Sequence, residues 1–187
     1  MNGNERQIGS HSGKEHEELR RRAEKLARSV LDEAAERKSG DAVDYIIFSM
    51  NSDTYALKAC YISEVIEPDE MVAVPCTPDF LRGVISVRGT IRAVYDLCVF
   101  WNRGEISGSG QKPVLFLKDG DKEFGIIVDE VLRVVSLTSR EHRPLAESKD
   151  LSVRFTRGVT ANGTVLLRGS KLLHEESFVV DEVVGNI

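Results

Sequence analysis

Residues 80–97 read FLRGVISVRGTIRAVYDL. Gly83 to Val87 is rich in β-branched residues, and the alternation of Ile91, Ala93 and Tyr95 with Arg92, Val94 and Asp96 continues the period of two. Arg88, Gly89 and Thr90 lie between the two runs. Gly89 supplies the positive φ that a short hairpin turn needs. The stretch therefore reads as two apolar strands joined by a tight turn, with Arg88 held at the tip. An arginine so placed is either solvated or a rigid fork offered to a partner carboxylate.

The chain of 187 residues is long enough for one domain with an extension, or two small subdomains. Its apolar fraction of 41% supports a real core, and its net charge of −5 argues against a nucleic-acid surface. Cys60, Cys76 and Cys98 lack C-x-x-C spacing and read as reduced thiols. Neither a signal-peptide core nor an apolar run near 18 residues is found, so a cytoplasmic protein without membrane insertion is expected.

Working outward from the central hairpin, residues 1–13 form a polar tail read as disordered. Residues 14–40 carry Leu19, Ala23, Leu26, Val30 and Leu31 at helical spacing, with Glu17→Arg21 and Glu18→Arg22 as i,i+4 pairs. Such a helix packs on its own domain, binds a partner or itself, or stays solvated. After Gly40 the period becomes two. Strands are expected around 45–50, 54–59, 113–118, 122–128 and 132–137, with Asn51-Ser52-Asp53 and Asp119-Gly120-Asp121 as turns. Thr138 and Glu141 form a capping box for a single turn, and Asn162-Gly163 is a strong hairpin signal. Ser170 is expected to cap a last helix carrying Leu172, Leu173, Val179 and Val180. Many short strands with a helix at each end describe small β-barrels, with residues 41–187 as the folded unit.

Catalytic and metal-binding motifs are missing from this pattern. The four histidines are scattered, so no metal or other cofactor is expected. Asp96 and Asp129 end or follow apolar strands. A catalytic pair requires them to converge; otherwise they bond backbone amides at strand ends. Phe48, Tyr55, Phe80, Tyr95 and Phe116 read as core aromatics.

The run from Thr77 to Leu97 resembles the pattern T-P-x-F-x-x-G-h-x-x-x-R-G-x-I-x-P-h-x-D-L (h, hydrophobic) of CheW-type coupling proteins of bacterial chemotaxis. Phe124-Gly125-Ile126-Ile127-Val128-Asp129 and Phe155-Thr156-Arg157-Gly158-Val159 resemble two later stretches of that family, and Tyr55 to Ile66 an early strand pair. Ala93 stands where the pattern has proline, and Arg168-Gly169 where the late hairpin commonly has an aspartate. The resemblance implies two packed SH3-like five-stranded barrels without catalysis. It implies an adaptor that joins the cytoplasmic hairpin tip of a chemoreceptor to the regulatory domain of a CheA-type histidine kinase, in receptor arrays. A related pathway such as surface motility fits the same fold. A groove between the barrels, lined by Ile62, Val65, Val84 and Val87 with Gly83 beside them, would take a partner's apolar face. Glu64 and Arg88 would form its charged rim. The competing class is an enzyme or small-ligand binder that uses Asp96, Asp129 and His142.

Overall fold

The computed structural model describes residues 42–106, 111–145 and 150–178. The expected tail and N-terminal helix, and the end of the expected last helix, lie outside the described residues.

Strands β1 (Val43–Met50), β2 (Asp53–Lys58) and β3 (Ile62–Ile66) are followed by β4 (Leu81–Val87), β5 (Thr90–Tyr95) and a helical turn, α1 (Leu97–Phe100). The second half repeats this order. It has β6 (Val114–Asp119), β7 (Lys122–Ile127), β8 (Glu130–Leu137) and β9 (His142–Arg143). A helical turn α2 (Leu151–Arg154) then precedes β10 (Thr156–Thr160), β11 (Val165–Leu167) and α3 (Gly169–Leu173).

The strands make two sheets, ordered β8-β1-β2-β11-β10-β9 and β3-β6-β7-β5-β4. The second is the expected five-stranded barrel, and the first adds the two-residue β9 as a sixth strand. The third strand of each half crosses over: β3 pairs with β6, and β8 pairs with β1. Neither barrel is therefore a continuous piece of chain. The repeat extends to detail. Phe80-x-Arg82-Gly83-Val84 and Phe155-x-Arg157-Gly158-Val159 echo each other. The ladder shifts register between Leu81 and Gly83, and again between Thr156 and Gly158.

Burial explains the apolar runs. Ile46, Phe48 and Met50 face Leu115, Leu117 and Ile126 in one large core between the barrels. Tyr45 and Ile47 face the opposite way, into the first barrel, and Val114 and Phe116 do the same in the second. β1 and β6 are thus apolar on both faces, as strands covered on both sides must be. Phe48, Tyr55, Tyr95 and Phe116 are buried as expected. The expected alternation in β5 fails at its start. Ile91 is 73% exposed, whereas Val94 and Tyr95 are both buried because that end of the strand lies inside the molecule.

Gly83 sits at the bulge with φ +148°, and a Cβ there would lie 2.4 Å from the Val72 carbonyl oxygen. Val72 and Val84 exchange both backbone hydrogen bonds at this point, so the oxygen cannot retreat cheaply. Gly83→Ala is expected to lose at least about 2 kcal/mol of unfolding free energy in a denaturant titration. A loss under about 0.5 kcal/mol would show that the bulge relaxes freely.

At the equivalent ends of the two late hairpins, Asp96 and Arg168 are the N-caps of α1 and α3. Asp96 accepts from the amides of Cys98, at 2.8 Å, and Val99. Arg168 cannot accept, and its guanidinium donates instead to the Thr156 carbonyl at 2.9 Å. Ser170 is the second residue of α3 rather than its cap. The Thr138–Glu141 box is half formed at a single turn: Glu141 accepts from the Thr138 amide at 2.7 Å, but the Thr138 hydroxyl donates to the same carboxylate, and the Glu141 amide goes to the Thr138 carbonyl.

Candidate functional site

The Arg88-Gly89 turn is an exposed tip of the second barrel on a paired base. Both residues have positive φ, 51° and 82°, the geometry of a two-residue primed hairpin turn. Val87 pairs with Thr90 directly below, so the base is fixed. The Arg88 side chain is 84% exposed, and its Nη2 lies 3.4 Å from Glu64 Oε2.

Glu64 stands on β3 opposite Phe116 and is mostly covered. Its other oxygen, Oε1, meets the guanidinium of Arg92 on β5. Arg92 also reaches Glu123 on β7 at 3.1 Å and lies over the Phe116 ring, 5.0 Å from its centroid. Lys118 approaches Glu123 at 3.3 Å, and the Ser63 hydroxyl donates to Glu123 at 3.4 Å. The expected rim residues Glu64 and Arg88 are therefore in contact with each other. They belong to a charged cluster with Arg92, Glu123 and Lys118, which the sequence reading left out. The missed signal is Arg92: a charged residue one period from buried Val94 must find partners under the hairpin.

A cleft of about 430 Å³ opens beside the tip, between Ile66–Glu70 and Val84–Arg88. Val84, Val87 and Arg88 border it, together with acidic Glu67, Asp69 and Glu70. Gly83 is buried at the bulge, so it shapes the cleft edge through its backbone. Ile62 is only 5% exposed and belongs to the core between the barrels, with Val65 packed against that core. Val87 is 8% exposed and packs into the second barrel's own core. The four apolar residues therefore do not line one groove. The exposed apolar surface nearest the tip is Val72, which lines the cleft, and Ile91, which pairs with Ser86.

The residues of the competing enzymatic class are tied elsewhere. Asp96 is buried, and its second oxygen accepts from the Ile106 amide at 3.2 Å. Asp129 pairs with Lys112 at 2.9 Å, and His142 Nε2 accepts from Arg157. No group of three His, Cys, Asp or Glu side chains among the described residues is placed to hold a metal ion. No helix among them is long and apolar enough to cross a membrane.

The thiols differ sharply. Cys60 and Cys76 are exposed; Cys98 is buried, and burial reinforced by nearby Asp96 pushes its thiol up to about 12. Iodoacetamide at pH 8 is expected to label Cys60 and Cys76 in the native protein, and Cys98 only after denaturation. Native labelling of Cys98, read by mass spectrometry, would show that α1 opens readily.

A profile of the CheW-like domain matches residues 44–177. The chain is 32% identical over 145 residues to the chemotaxis protein CheW of Klebsiella aerogenes, covering 75% of this chain and 87% of that one. It is 26% identical over 147 residues to the chemotaxis protein CheW of Bacillus subtilis, covering 76% and 93%. The crystal structure of the scaffolding protein TtCheW from Thermoanaerobacter tengcongensis shares the fold, with a TM-score of 0.65 at 21% identity, covering 78% of this chain and 94% of that one.

Proposed function

The chain belongs to the CheW-like domain family, and from that premise we propose that it couples chemoreceptors to a CheA-type histidine kinase, without catalysis of its own. The kinase is held through its regulatory domain and the receptor through its cytoplasmic hairpin tip. The protein works in the cytoplasm, recruited to receptor arrays. The observation that carries this reading is the hairpin tip. A fixed backbone presents an 84% exposed guanidinium above a cleft, with Val72 and Ile91 exposed near it. That combination of a charged fork and apolar surface suits protein recognition. The non-catalytic reading is supported by Asp96 and Asp129, which are engaged by backbone amides and Lys112. Weak contacts at two faces become strong when many copies share an array, through effective concentration.

The test is reconstitution with receptor-bearing membranes and the source cell's kinase. Kinase is expected to sediment with the membranes, and its autophosphorylation to respond to receptor, only when this protein is present. Unchanged sedimentation and output, with a metabolite raising the melting temperature, would replace the adaptor reading with a ligand-binding one.

A further inference from the structure

Two carboxylates, Glu64 and Glu123, face three cations at the mouth of the second barrel: Arg88, Arg92 and Lys118. The two arginines sharing Glu64 are not equivalent. Arg92 is 16% exposed, lies over Phe116 and spans both carboxylates. Arg88 is 84% exposed and touches only one oxygen of Glu64, at 3.4 Å. An exposed single contact is easily exchanged, whereas a covered guanidinium whose Nη1 is shared by two carboxylates is not.

We propose that Arg92 is a positioning residue: it holds Glu64 and Glu123 in the barrel mouth, and so leaves Arg88 as an exchangeable fork for a partner carboxylate. The inference rests on the adaptor reading and adds the chemistry of the contact. Glu64 is mostly covered, and a covered carboxylate needs a compensating charge. With Arg92 in place that need is met. Without it, Glu64 draws Arg88 down from the tip, and the fork is no longer on offer. Glu67, Asp69 and Glu70 border the cleft beside Arg88, so a purely acidic partner is disfavoured. The segment that fits carries a basic group next to its carboxylate.

Two readouts on the full chain test this. The first needs no partner: the heteronuclear NOE at Arg88 Nε, which reports side-chain order. It is expected to be low in the wild type and to rise in Arg92→Met, which keeps an apolar stem over Phe116. No rise overturns the proposal. The second is affinity for the regulatory domain of the source cell's CheA-type kinase. Arg92→Met and Arg88→Met are each expected to weaken binding at least about thirtyfold, and the double variant no more than either alone, because both remove the same fork. Additive losses overturn the proposal, since Arg92 would then act independently of Arg88. If the wild type binds neither kinase nor receptor, the adaptor reading fails, and the NOE still decides the positioning role. Should Arg92→Met not fold, Arg92→Lys serves. It keeps the charge but not the planar guanidinium over Phe116, so intermediate changes are expected in both readouts, and wild-type values would overturn the proposal.

Discussion

Phe178→Ala is expected to destabilise the protein by about 3–5 kcal/mol, the usual cost of removing a buried phenylalanine, lowering the melting midpoint by roughly 8–15 °C. Phe178 lies at the junction of the two barrels. Its ring is 4.7 Å from that of Phe100, 4.8 Å from Tyr95, 5.1 Å from Phe124 and 5.9 Å from Phe80. These rings come from β5, β7, α1 and the segment before β4, so one side chain joins four pieces of chain. The backbone is fixed as well, because the Tyr95 hydroxyl donates to the Phe178 carbonyl at 2.6 Å. Collapse of the site is hindered on several sides by aromatic neighbours, which keeps the cavity cost near the upper end. Tyr95→Phe should lose only the hydroxyl's bond, about 1 kcal/mol. A Phe178→Ala loss no larger than that would mean that the end of the described chain does not close the core.

Phe178 also shows where the sequence could not be read. Ser170 to Val184 reads as one helix because Leu172, Leu173, Val179 and Val180 suit its period. The helix instead ends at Leu173, and a 3₁₀ turn over Glu176–Phe178 swings the phenylalanine into the core. Tertiary packing outweighed a modest local preference. The hairpins were legible because their turns carry their own chemistry, as at Arg88-Gly89 and Gly120. The repeat was not, because its two halves share little beyond Phe-x-Arg-Gly-Val. The helical turns α1 and α2 were missed because each is only four residues long, too short for a 3.6 period to show; their aspartate caps were the remaining signal. At the site, Glu64 and Arg88 read together as the charged rim of a groove, and the structure places them in contact. Arg92 was missed, because a residue's partners across β3, β5 and β7 are set by register, and register lies in long-range pairing rather than in local pattern.

Arg88→Glu is expected to separate binding from stability. The side chain is 84% exposed and replaces one flexible chain by another at the same positive φ, so the turn itself is undisturbed. Its contact with Glu64 becomes a repulsion, but Arg92 still compensates Glu64, and an exposed contact of this kind is worth at most about 1 kcal/mol. The melting midpoint should therefore move by only a few degrees. Partner binding should suffer far more. A carboxylate that had met Arg88 would now face a like charge while losing water, and truncating one arm of such a pair already costs roughly 2–5 kcal/mol, or about thirtyfold to several thousandfold in affinity. Kinase recovery with receptor membranes should fall accordingly, and raising the salt should narrow the gap between wild type and variant. Normal coupling in the variant would make Arg88 a solvated turn residue. A large fall in the melting midpoint would instead make its link to Glu64 structural, and the whole barrel mouth, rather than the hairpin tip alone, would then be the unit that a partner meets.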